Sequence, residues 1–193
     1  GRNADELRTA ASALALGDLH DTGSIAALEA AMGAKDDRLA GDAAWALGEI
    51  AAANPRDGQL DALVERWLYA ARHGGWATSI DATAAIARTL AAVPKDQRDK
   101  LLAGPRRAAL QALVLHRSRL VRINAIAALQ AIGEDTAKLA GDPSPHVREV
   151  AKAKPKLPAN PSRVWVQIGT GRNVKALAFT WRHLQKEGGA LLR

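Results

Sequence analysis

Ala43-Ala44-Trp45-Ala46-Leu47-Gly48-Glu49-Ile50 is the stretch on which the fold class turns. Alanine is the strongest intrinsic helix former, and its small side chain lets helices approach closely while filling little volume. Working outward, the paired-alanine pattern returns as Ala10-Ala11-Ser12-Ala13-Leu14, Ala82-Thr83-Ala84-Ala85-Ile86 and Ala125-Ile126-Ala127-Ala128-Leu129. A shorter copy runs Val147-Arg148-Glu149-Val150-Ala151. Between alanines 10, 43, 82, 125 and 151 the spacings are 33, 39, 43 and 26 residues. Unequal spacing of this kind fits an array of helix pairs with loop insertions better than a rigid period.

Between the copies lie partner segments with apolar residues three or four apart: Ile25 to Met32, Leu60-Leu63-Val64-Trp67-Leu68, and Ala109-Leu110-Leu113-Val114. Asp21-Thr22-Gly23, Asn54-Pro55, Gly104-Pro105, Gly133-Glu134-Asp135 and Gly141-Asp142-Pro143 punctuate the connections, with Gly near helix ends and Pro near helix starts. Residues 1–154 are therefore expected to form four to five antiparallel helix pairs stacked side by side.

The whole chain has 193 residues, 48% of them hydrophobic and 24% charged, with 5 Trp, 1 Tyr, 1 Phe and no Cys. Such an apolar content supports a packed core and argues against wholesale disorder. Lack of cysteine rules out disulfides, thiolate metal sites and a thiol nucleophile. No apolar run approaches the roughly 20 residues of a membrane-spanning helix. Gly1 and Arg193 both read as cuts in a longer protein, so the N-terminus gives no compartment.

Asp142-Pro143-Ser144-Pro145-His146-Val147-Arg148-Glu149-Val150-Ala151 resembles the hallmark of the HEAT-repeat family, and Leu120-Val121-Arg122-Ile123-Asn124-Ala125 repeats its Val-Arg-x-x-Ala core. The resemblance spans residues 1–154 and implies a mainly α protein, a right-handed α-solenoid of four to five HEAT-like pairs. It also implies a structural role for Asp142, Arg122 and Arg148, the Asp bracing a turn and the Arg pairing with a neighbouring repeat's Asp. The earlier copies carry Glu6-Leu7, Leu39-Ala40 and Thr78-Ser79 in place of Val-Arg, so an incomplete ladder is expected.

From Lys154 to Pro161 three prolines fall in eight residues, and 155–162 reads as a stiff extended linker. Beyond it Val164, Val166 and Ile168 alternate with Trp165 and Gln167, a strand period. Gly169-Thr170-Gly171 is a turn, and Val174, Leu177, Trp181 and Leu184 make a helical stripe before a second strand opens at Ala190. This incomplete β-α-β tail, 163–193, resembles the first half of a SPOR domain through Trp165-Val166-Gln167-Ile168-Gly169, Ala176-Leu177-Ala178 and Trp181 to Leu184. The resemblance implies binding to peptidoglycan and a periplasmic or cell-envelope location. On an open sheet face Trp165 would stack on a sugar and Gln167 would bond its polar groups. The alternative is an interface with the missing half or with the array.

The net charge of +7 conceals an asymmetry: residues 1–99 hold 10 basic and 15 acidic side chains, and residues 100–162 hold 11 and 4. Lys100, Arg106, Arg107, Arg117, Arg119 and Arg122 occur with no acid up to Gly133. The five arginines are candidates for binding a polyanion or an acidic partner; the competing reading is solvated helix faces. Base stacking would call for aromatics among them, and residues 100–133 have none. Trp45 and Trp67 read as packing, and Trp76 as either a lining residue or a staple contact at a helix start.

No His spacing suits a metal, no serine lies in a Gly-x-Ser-x-Gly elbow, and Asp36-Asp37 and Asp18-Asp21 read as caps. The expectation is a non-enzymatic protein-interaction scaffold without cofactor. Its alternatives are a nucleic-acid-binding array, or the accessory region of a larger enzyme.

Overall fold

The computed structural model describes residues 4–55 and 58–153. Two compact units divide the chain, Gly1–Ala159 and Asn160–Arg193, and every described residue lies in the first. The linker at 155–162, the β-α-β reading of 163–193, and Trp165 and Gln167 lie outside the described residues.

Among the described residues there are nine α-helices and no strand. They are α1 (Ala4–Asp18), α2 (Ile25–Ala31), α3 (Asp37–Ala53), α4 (Leu60–His73), α5 (Trp76–Ala92), α6 (Lys95–Leu101), α7 (Pro105–Ala112), α8 (Arg119–Ala131) and α9 (Pro145–Lys152). Each Ala-rich copy falls on its own helix, namely α1, α3, α5, α8 and α9. These five pack in chain order, α1 on α3, α3 on α5, α5 on α8 and α8 on α9. The intervening segments form a second layer, with α2 on α3, α4 on α5, α7 on α8, and a 3-10 segment at Ala137–Gly141 on α9.

Small residues set the spacing of the first layer. A Cβ placed on Gly48 of α3 would lie 2.6 Å from the Ala85 Cβ of α5, and one on Gly17 would lie 2.7 Å from the Ala46 Cα. Here the helices touch backbone to side-chain methyl, so α3 is buried almost continuously from Ala40 to Ala51. Large buried side chains come from both layers: Leu47, Ile50, Ile86 and Leu90 of α3 and α5, and Leu60, Leu63, Val64 and Trp67 of α4, are all at most 2% exposed. Burying such side chains stabilises the fold by about 1.5–3 kcal/mol each. Toward α9 the core thins to a separate cluster of Ile126, Val147 and Ala151, with Ile123 and Leu139 packed against it.

Two departures from the sequence reading have local causes. The stripe Ala109 to Val114 does not form one helix: α7 ends at Ala112 and Leu113–Leu115 tightens into a 3-10 turn. Short α6 was not expected, because Lys95-Asp96-Gln97-Arg98-Asp99-Lys100 offers no apolar period; Pro94 opens it and the buried pair Leu101 and Leu102 anchors its end. At the end of α8, Gly133 takes a φ of +83°, the left-handed conformation that favours glycine. It allows the Glu134 amide to reach back to the Leu129 carbonyl at 3.0 Å.

Candidate functional site

The polar side chains of the first layer tie helix ends together. Asp36 caps its own helix α3, accepting from the amides of Arg38 at 2.9 Å and Leu39 at 2.8 Å. Its neighbour Asp37 caps the next helix instead. Its carboxylate accepts from the amides of Ala77 at 2.8 Å and Thr78 at 3.1 Å at the start of α5, while the Thr78 hydroxyl donates to the Asp37 carbonyl. Gly75 makes room, since a Cβ there would collide with the Asp37 carboxylate. Partial burial works against ionisation of Asp37, but hydrogen bonding from Thr78 and the Ala77 and Thr78 amides outweighs it and holds the pKa below the ordinary value.

Further along, Arg122 on the first turn of α8 holds Asp142 in a two-pronged pair, Nε to Oδ2 at 2.7 Å and Nη2 to Oδ1 at 2.9 Å. Asp142 in turn accepts from the Ser144 amide at 2.8 Å, just before α9. The Arg122 hydrogen bond, with help from that amide, depresses the Asp142 pKa. Arg122 Nη1 also donates to the carbonyls of His116 and Arg117. Arg148 repeats this grip one turn-and-helix later, on the carbonyls of Asp142 at 2.7 Å and Pro143 at 3.1 Å. His116 thus occupies the place in its turn that Asp142 occupies in the next. Its Nδ1 accepts from the Ser118 amide at 3.1 Å, as Asp142 accepts from Ser144. Burial, and then the charges of Arg117 and Arg122, push the His116 pKa down.

Helix C-termini are tied by Arg98, which the sequence did not single out. From α6 it donates Nε to the Val93 carbonyl at 2.7 Å and Nη1 to the Ala131 carbonyl, bridging the ends of α5 and α8. A cation at two carbonyl-rich helix ends is favourable for both macrodipoles. Gln130, buried, does the same for α9 through the carbonyls of Val150 at 2.8 Å and Ala153 at 3.1 Å.

The five-arginine cluster is not one patch. Arg106 binds Asp61 and, at 2.8 Å, Glu65 of α4. Arg107 stands 3.5 Å from Asp99 and 3.9 Å from Glu134. Arg122 is held by Asp142. Only Arg117 and Arg119 keep exposed guanidinium groups without an ion pair among the described residues. The acids that neutralise Arg106 lie 41 and 45 residues away in sequence, invisible to a run-length reading.

Trp45 is 5% exposed, with Arg88 over its ring at 5.9 Å and Arg88 paired with the buried Glu49. Trp67 is wholly buried. Trp76 is 64% exposed and lines a shallow cavity of about 350 Å³ with Asp36, Asp37, Arg38 and Ala77. That exposure does not suit a staple contact. No family model matches the chain, and no curated protein matches it.

Proposed function

We propose that the chain is a non-enzymatic interaction scaffold, a HEAT-like α-solenoid of helix pairs, whose tail resembles a SPOR module. The observation that carries the reading is the in-order, neighbour-only packing of the five Ala-rich helices, linked by Asp37 at one step and by Arg122 with Asp142 at another. An array of this kind presents surface rather than a reaction centre, because each unit is spent on its neighbours. On the tail reading, Trp165 stacks on a glycan ring, Gln167 bonds its polar groups, and the protein sits in the periplasm or cell envelope.

Pull-down of the whole chain on purified peptidoglycan tests the tail. Retention that Trp165→Ala abolishes supports it; no retention refutes it. Affinity capture with cross-linking on the array tests the scaffold: a partner whose cross-links fall on residues 1–154 is the expected result.

A polyanion-binding array built on the 100–122 cluster is the second reading, favoured within that cluster by Arg117 and Arg119. With Arg106, Arg107 and Arg122 engaged internally, the cluster should hold duplex DNA weakly, adding about two phosphate contacts to the salt slope.

A further inference from the structure

The directions of the first-layer helices follow from their ties. Asp37 joins the N-terminal turns of α3 and α5, Arg98 joins the C-terminal ends of α5 and α8, and Arg122 with Asp142 joins the N-terminal turns of α8 and α9. The four helices therefore run parallel, and their leading turns line one edge. The last turn of α4, one short Gly74-Gly75 connection from α5, belongs to that edge too.

Exposed cations and exposed apolar side chains gather there. Lys35, Arg38, Arg72, Arg117 and Arg119 are exposed, and their side chains have no partner among the described residues. The acids nearest them are committed: Asp36 and Asp37 to helix amides, Asp142 to Arg122, and Asp42 and Asp81 to partners of their own. Glu149, on α9 beside His146, is an exposed carboxylate on this side. Between the cations stand Trp76, Leu115 at 83% exposure, Leu120, and Tyr69, whose ring lies tilted against His73 with centroids 4.6 Å apart. Four of the five large apolar side chains exposed among the described residues are on this one edge; Leu19 is the exception.

We infer that this edge is a docking surface for a bilayer carrying anionic phospholipids. Leu115 lies just before α8 and Leu120 in its first turn, Trp76 at the start of α5 and Tyr69 in the last turns of α4, and the cavity beside Trp76 is shallow, which suits a flat, deformable interface. Tryptophan and tyrosine favour the headgroup level, leucine the acyl boundary, and arginine reaches lipid phosphates with its stem still on apolar surface. Aliphatic Leu115 and Leu120 at the tips have no use against stacked bases, which sets the surface apart from a nucleic-acid groove. The inference stands independently of the reading of the tail.

Flotation of the whole chain with phosphatidylcholine vesicles, alone or with 30% phosphatidylglycerol (~30% being a composition at which anionic surface attraction is strong), tests it. Binding is expected only with the anionic lipid and should weaken as salt shortens the Debye length. Arg117→Gln and Arg119→Gln should each lower the partition about fivefold, and Leu115→Ser about tenfold. Leu19→Ser and Lys95→Glu, away from this edge, should leave it unchanged. Edge variants that float like the parent chain would overturn the inference, since binding would then come from the basic residues beyond 153. So would absence of flotation, or retention on duplex DNA, sensitive to Arg117→Gln, by a chain that ignores vesicles.

Discussion

Between α3 and α5 the chain removes side chains, and between α8 and α9 it adds them. At the first seam Gly48 faces Ala85, Gly41 faces Ala77, and the Asp37 carboxylate closes the end by binding amides. At the second, Ile126, Val147 and Ala151 form a small cluster and a two-pronged ion pair closes the end. Close packing of small residues gains dispersion over a long contact but tolerates no added atom. A charged clasp over a thin core tolerates changes of volume and is sensitive to protonation and partner loss instead. Two helices with nearly the same Ala pattern thus differ in what damages them.

Four experiments sharpen that contrast. Trp67→Ala, emptying the wholly buried site under α5, should cost about 4 kcal/mol in urea unfolding followed by circular dichroism. Gly48→Val should cost about 3 kcal/mol, because its Cβ alone would come within 2.6 Å of Ala85. A near-neutral result there would show that α3 and α5 can slide apart. Arg122→Ala should cost about 2 kcal/mol by leaving Asp142 unpaired, with faster amide exchange in α9 and little change in α3. Asp99→Ala, breaking exposed pairs with Lys95 and Arg107, should change stability by at most about 1 kcal/mol.

Acid should reach the histidine turn before the carboxylate clasps. His116 has a lowered folded pKa, so the unfolded chain binds its proton more readily. Its contribution is complete above the unfolded value of about 6.5 and is lost as pH falls below that toward the folded pKa. Asp142 and Asp37 are depressed carboxylates, whose contributions hold above the unfolded value of about 3.9 and fade only in stronger acid. Thermal melts across pH 7.5 to 5 (roughly one unit either side of the ordinary histidine value) should show a decline that His116→Asn flattens. An unchanged decline in that variant would remove His116 from the account.

The helical character and the core positions were legible because both rest on local pattern: an alanine pair and a leucine at helical spacing mark a buried face wherever the helix goes. The Val-Arg-x-x-Ala copies likewise drew the eye to Arg122, Arg148 and Asp142. What local pattern conceals is long-range pairing. Arg106 stands in an acid-free run because Asp61 and Glu65 belong to another helix, and Arg98 draws no reading because its carbonyls lie on α5 and α8. Trp76 and Leu115, 39 residues apart, share one edge only because parallel helices bring their turns together. The break after Ala112 was hidden for another reason, since Leu113 keeps its place in the core while the backbone tightens around it.

Arg98 gives the 93–104 connection an importance that its polar composition conceals. A protein engineer trimming the repeat to uniform length would delete this excursion first, as decoration. Doing so would strip the seal from two neighbouring helix ends at once and leave the Ala91 and Ala131 carbonyls in search of donors. The irregular spacing of the copies is therefore a splint inserted mid-array, and minimised versions of this chain should be cut elsewhere.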